Sequence, residues 1–122
     1  MSIFKILVIE DNLDNLTLIE DILTSLDYEV ITAQDGVSGL EKATTAEPDL
    51  ILMDLSLPKM DGWDVTRKIK ANEQIKHIPV IALTAHALLG DRKRALEAGC
   101  DDYVSKPIKL PQLVAKLKKY LE

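Results

Sequence analysis

The chain has 122 residues, of which 47% are hydrophobic and 29% charged. That is the make-up of one folded domain with a real core, not of a disordered chain. A formal net charge of −5 argues against a general nucleic-acid grip, which needs a basic face, and one cysteine, Cys100, cannot form an intrachain disulfide.

Phe4 to Ile9 reads as a first strand without polar alternation, as expected when both faces of a sheet are covered. This run is too short for a signal peptide or a membrane span, so the expected compartment is the cytoplasm. Leu13, Leu16, Ile19, Leu23 and Leu26 then form one helical stripe, with Asn12 or Asp14 as its cap. Tyr28 to Ala33 is a second strand, and Asp35-Gly36 opens a helix carrying Val37, Leu40 and Ala43. Pro48 and Asp49 end that helix, and Leu50 to Asp54 is a third strand.

A helix over Asp61 to Ala71 follows, with Val65 and Ile69 inward. Pro79 to Leu83 is a fourth strand, Ala85 to Ala98 a helix closed by Gly99, and Tyr103-Val104 a brief fifth strand. Cys100 fits a small residue packed at the start of that strand, and a redox-active thiol is the sharper alternative. Leu110, Leu113, Val114, Leu117 and Leu121 stripe the last helix, which Pro111 can enter in its first turn. Five strands alternating with five helices imply a parallel sheet with helices on both faces and right-handed crossovers. No repeat or linker interrupts residues 1–122, which read as a single domain; Met1 and the finished last helix suggest a complete one.

The strand ends carry the chemistry. They are Glu10-Asp11, Asp54, Thr84 and Lys106, and a parallel sheet gathers such ends at one rim, where ligands bind. Each has a plainer explanation. Asp54 can cap the following loop, Glu10-Asp11 can start a helix, Thr84 can cap one, and Lys106 can be a solvated charge. Four matched strand ends are harder to explain as caps. Three carboxylates in one pocket repel each other unless a divalent cation joins them, and oxygen ligands without a Cys or His cluster point to magnesium or manganese.

The chain resembles a response regulator receiver domain. The resemblance is carried by Val8-Ile9-Glu10-Asp11-Asn12, by Asp49 to Asp54 with Leu57-Pro58-Lys59-Met60-Asp61-Gly62, by Ile78 to Ala85, and by Ala98 to Pro107. The stretch from His77 to Ile108 is most similar to single-domain regulators of the DivK kind. The resemblance implies a flavodoxin-like (βα)5 fold of the CheY-like superfamily, with strand order 2-1-3-4-5.

It also implies the roles. Asp54 accepts a phosphoryl group from a phosphohistidine on a sensor histidine kinase or histidine phosphotransfer protein. Glu10, Asp11, Asp54 and the backbone carbonyl of Ser56 hold Mg2+, for which Mn2+ can substitute, Glu10 acting directly or through a water. Lys106 pairs with a phosphoryl oxygen. Thr84 and Tyr103 switch the face formed by the 85–98 helix, the fifth strand and the last helix, which signals to a downstream protein. Ser56 and His86 tune the lifetime of the phosphorylated state, and the Lys106–Pro107 bond is cis. Plainer readings of Tyr103 and His86 are half-buried packing and a solvated helix start. Neither direct nucleic-acid contact nor membrane insertion is expected.

Three other functions compete. An aspartyl phosphatase usually carries Asp-x-Asp and a cap domain, but Ser56 stands two residues after Asp54 and 122 residues leave no room for a cap. A flavin or nucleotide module needs a Gly- or Ser/Thr-rich phosphate loop where this chain has Glu10-Asp11-Asn12-Leu13-Asp14. A docking module without phosphoryl chemistry would not need the full acid, Thr and Lys set.

Overall fold

The computed structural model describes residues 3–54, 62–84, 93, 96–106 and 108–121, with backbone alone at Trp63 and Thr84. Five strands and four helices lie within them: β1 (Lys5–Ile9), α1 (Leu13–Ser25), β2 (Glu29–Ala33), α2 (Gly36–Thr45), β3 (Leu50–Asp54), α3 (Gly62–Ala71), β4 (Val80–Thr84), β5 (Asp102–Ser105) and α4 (Leu110–Leu121). All strand pairs are parallel and the order is β2-β1-β3-β4-β5, the flavodoxin-like arrangement expected. Most of the expected 85–98 helix lies outside the described residues. Lys93, Leu96 and Glu97 are helical, and Gly99 follows with φ +106°, its N–H donating to the Leu96 carbonyl.

The unbroken apolar strands follow from burial on both faces. Successive side chains point to opposite sides of a sheet. Leu7, Ile9, Ile51 and Met53 pack with Ala43, Val65 and Ile69 from α2 and α3, while Ile6, Val8, Leu50 and Leu52 pack with Leu16, Ile19 and Leu23 from α1 and Leu113 and Leu117 from α4. Residues 6–9 and 50–53 are all 0% exposed, so both faces of these runs are covered, and the polar members of the two strands, Lys5 and Asp54, stand at their ends.

Several stripe residues depart from expectation. Leu13, Val37 and Leu110 are exposed. In α2 the contact falls instead on Gly36, Gly39 and Ala43. A Cβ on Gly39 would run into the Ile9 side chain, which would have to shift, so α2 approaches β1 closely at this glycine. Strand bounds move by a residue or so: Phe4 and Tyr28 lie outside β1 and β2, β4 runs Val80–Thr84 rather than from Pro79, and β5 takes in Asp102 and Ser105. Cys100 is buried with its Sγ 3.6 Å from Thr66 Oγ1, and burial pushes its thiol pKa up, which suits packing rather than reactivity. No helix among the described residues is long and apolar enough to cross a membrane.

Candidate functional site

The chain leaves β1 for β2 on one side and returns to place β3 on the other, so strand order reverses between β1 and β3. Crevices open beyond the carboxyl ends of strands at such a point. Glu10 and Asp11 follow β1 directly, and Asp54 closes β3. Asn12 fixes the turn between them and α1: its side-chain Oδ1 accepts from the Asn15 N–H at 3.0 Å, which makes it, not Asp14, the cap. The helix therefore starts at once, and the acid pair stays at the rim.

Glu10, Asp11 and Asp54 each offer a carboxylate oxygen within 4.8 Å of the others. Glu10 is fully buried and Asp54 is 4% exposed, whereas Asp11 faces solvent. Lys106, just beyond β5, reaches into the group with its Nζ 3.3 Å from Glu10 Oε1 and 3.4 Å from Asp54 Oδ1. Among the described residues, one ammonium faces three carboxylates, which leaves the cluster short of positive charge. Burial first, and then the Asp54 carboxylate beside it, push the Glu10 pKa up to about 7; the Asn15 side chain and Lys106 pull the other way. The second Glu10 oxygen, Oε2, is buried without a hydrogen-bond partner among the described residues.

Such an orphaned oxygen is costly unless something not in the chain meets it. An all-oxygen donor set of net negative charge fits a hard divalent cation, magnesium or manganese, and not zinc. The residues present thus fit the metal that the strand ends called for.

The structure brings together Glu10, Asp11, Asp54 and Lys106. The backbone of Thr84 stands at the end of β4, paired with Ser105. Its side chain, Ser56, His86 and the Lys106–Pro107 bond lie outside the described residues. Tyr103 is half-buried against the core beside β4, with Lys116 Nζ 5.9 Å from its ring centroid.

A further buried carboxylate, away from this cluster, was not evident from sequence. Asp102 is 8% exposed and accepts from the Tyr103 N–H at 2.9 Å, Lys116 Nζ at 2.8 Å and Tyr120 Oη at 3.2 Å. Burial works to raise its carboxyl, but the Lys116 and Tyr103 hydrogen bonds outweigh that and hold it below the ordinary range. Burial and the same carboxylate push the Tyr120 phenol up to about 12. The available signal was the Lys116-x-x-Lys119-Tyr120 spacing, which puts two cations and a phenol on neighbouring turns of α4.

Comparison with known proteins agrees with this geometry. The model of the response regulator receiver domain family matches residues 6–118. The polar-differentiation response regulator DivK of Brucella ovis is 42% identical over 117 residues, 96% of this chain and 95% of that protein. Among solved structures, the receiver domain of the Pseudomonas aeruginosa sensor histidine kinase PA1611 superposes with a TM-score of 0.91 at 44% identity, over 98% of both chains. That structure holds a magnesium ion in its active-site cleft. The chemotaxis protein CheY4 of Vibrio cholerae superposes with a TM-score of 0.92 at 27% identity, covering 98% of this chain and 100% of that one. Since the match runs unbroken from β1 through the acid pocket and into α4, the chain belongs to the response regulator receiver domain family of two-component signalling.

Proposed function

We propose that residues 1–122 act as one receiver domain that takes a phosphoryl group onto Asp54 from a phosphohistidine. Receiver domains relay signals from histidine kinases, so the donor is a sensor histidine kinase or a histidine phosphotransfer protein, and the compartment is the cytoplasm. A carboxylate oxygen of Asp54 attacks the phosphorus, the phosphorus–nitrogen bond breaks, and the imidazole leaves with the electron pair and takes up a proton. An acyl phosphate remains on Asp54. Its hydrolysis returns the carboxylate, and the chain catalyses no reaction on other substrates.

Glu10, Asp11, Asp54 and the Ser56 carbonyl would hold Mg2+ or Mn2+. When bound, the ion supplies positive charge that offsets the crowding of acids and of phosphoryl oxygens. Lys106 stays within reach of Asp54 and pairs with a transferred oxygen. Thr84 donates its hydroxyl to another, and Tyr103 turns into the space this opens, which changes the face shared by β5 and α4. A downstream protein reads that face. Ser56 and His86 flank the path of attacking water and set how long the acyl phosphate lasts.

The observation that carries this reading is the buried Asp54 carboxylate flanked by two acids within 4.8 Å and by an ammonium at 3.4 Å. Incubation with magnesium chloride and acetyl phosphate, followed by intact mass, tests it. One phosphoryl adduct is expected, lost in Asp54→Asn and on chelation of the metal. An adduct that survives in Asp54→Asn, or steady turnover of phosphate esters, would refute it.

A further inference from the structure

Lys116, in the middle of α4, bridges Asp102 and Tyr103 of β5. Its Nζ lies 2.8 Å from Asp102 Oδ1 and 5.9 Å from the centroid of the Tyr103 ring, near enough for the ring to attract the ammonium. The same Asp102 Oδ1 accepts from the Tyr103 N–H at 2.9 Å. One carboxylate oxygen therefore fixes the backbone of Tyr103 and also holds the cation that faces its ring. The Asp102 side chain is 10% exposed and that of Lys116 33%, so water screens this contact less than it would at open surface.

Lys119 provides a contrast within the same cluster. It stands 3.7 Å from the other oxygen, Asp102 Oδ2, and its Nζ lies 5.3 Å from the Tyr120 ring. Tyr120 Oη donates to Asp102 Oδ2 at 3.2 Å and to the Asp101 carbonyl at 2.9 Å. Oδ1 thus serves Tyr103, while Oδ2 serves the end of α4. When Lys116 lets go, Asp102 keeps the Tyr103 N–H, Tyr120 Oη and Lys119, so its buried charge is not stranded. A groove of about 380 Å3, lined in part by Tyr103, Ala115 and Lys116, gives the lysine and the ring room to move.

We propose that the Asp102–Lys116 pair is a built-in restraint on the Tyr103 switch, holding the ring on the groove side and setting how much of it turns inward. The inference rests on the phosphoryl-driven turn of Tyr103 proposed above, and it adds the residue pair that opposes that turn. Lys116 acts through Tyr103 and is a positioning residue. Its contact with the ring is made on the groove side and lost when the ring turns away from an ammonium anchored on Asp102. The contact is therefore differential, which is what biases an equilibrium between two states. At a part-exposed site it shifts their ratio about fivefold.

The test is fluorine NMR of the full chain labelled with 3-fluorotyrosine. Tyr28, Tyr103 and Tyr120 are its three tyrosines, and Tyr103→Phe and Tyr120→Phe assign the signals. Magnesium chloride with acetyl phosphate moves the Tyr103 signal and defines the turned-in end point. Without the phosphodonor, Lys116→Met keeps the stem and drops the charge. It should carry the Tyr103 signal toward that end point, the turned-in to groove-side ratio rising about fivefold. Lys116→Arg, which returns a cation to the ring, should stay at the wild-type position, as should Lys119→Gln, which removes the same charge. The Tyr120 signal should move little in all three, since α4 keeps its seat on β5.

A Tyr103 signal that stays put in Lys116→Met, or moves away from the end point, would overturn the proposal. So would an equal response to Lys119→Gln or failure of Lys116→Arg to hold the wild-type position. Equal movement of Tyr120 would make the pair a fastener of α4 and nothing more. Intact mass on the same samples separates two failures. An adduct on Asp54 with a Tyr103 signal insensitive to Lys116 sinks the restraint alone, whereas no adduct sinks the reading of Asp54 and the restraint with it.

Discussion

Glu10 and Asp102, two of three carboxylates buried among the described residues, both sit next to lysines and behave in opposite ways. Asp102 is surrounded by donors: a backbone N–H, two ammonium groups and a phenol. Its charged form is favoured and its carboxyl titrates below the ordinary range. Among the described residues, Glu10 shares one lysine with Asp54 and keeps one oxygen without a donor, and its pKa is pushed up to about 7. A satisfied carboxylate ties elements together; an unsatisfied one waits for a ligand. The first pins α4 to β5. The second stands beside Asp54, in the pocket proposed to take the metal and the phosphoryl group.

The difference can be broken from either side. Asp102→Ala removes the acceptor that ties Tyr103, Lys116 and Tyr120 and is expected to cost about 3 kcal/mol in chemical denaturation. Glu10→Gln should act with the opposite sign. It removes a buried charge whose one described cation, Lys106, is shared with Asp54, and its amide can donate to Asp54, so the metal-free protein should gain about 1–2 kcal/mol by the same measurement. Addition of magnesium should narrow that gain, because the stabilisation by metal is smaller in the variant. A Glu10→Gln loss of stability without metal would mean that the pocket is satisfied after all.

The pH response sharpens the contrast. The folded pKa of Asp102 is depressed, so its contribution is complete above the ordinary value of 3.8 and is lost as pH falls through the lowered one. For Tyr120 the folded pKa is raised from 10.0 to about 12, so its contribution is complete below pH 10 and is lost as pH rises toward 12. Stability scans of the wild type should therefore bend at both extremes, and Asp102→Asn should flatten the two bends together. Bends unchanged in that variant would place their origin elsewhere. The smallest effect expected is for Lys119→Gln, below about 0.5 kcal/mol, since that side chain is 64% exposed and 3.7 Å from its partner.

Fold and site were legible in the sequence to different depths. Continuous apolar runs at Ile6–Ile9 and Leu50–Met53 mark strands covered on both faces, and the structure buries every one of those residues. Glu10, Asp11, Asp54 and Lys106 could be placed at one rim because parallel strands all end on the same side, and these four residues do meet. What periodicity could not supply was which residue of a stripe makes the contact. Gly39 rather than Val37 meets β1, because helix-to-sheet distance is set by the smallest side chain in the way. The Asp102 cluster escaped for a similar reason. Its members are 14 and 18 residues apart in sequence and meet only when α4 packs on β5.

Magnesium chloride titration followed by backbone amide shifts separates the two carboxylates most directly. Saturable shifts are predicted at Glu10, Asp11 and Asp54, with Asp102 and Tyr120 unmoved. Absence of saturation at the three acids, or an equal response at Asp102, would contradict the assignment of the unsatisfied pocket as the metal and phosphoryl site.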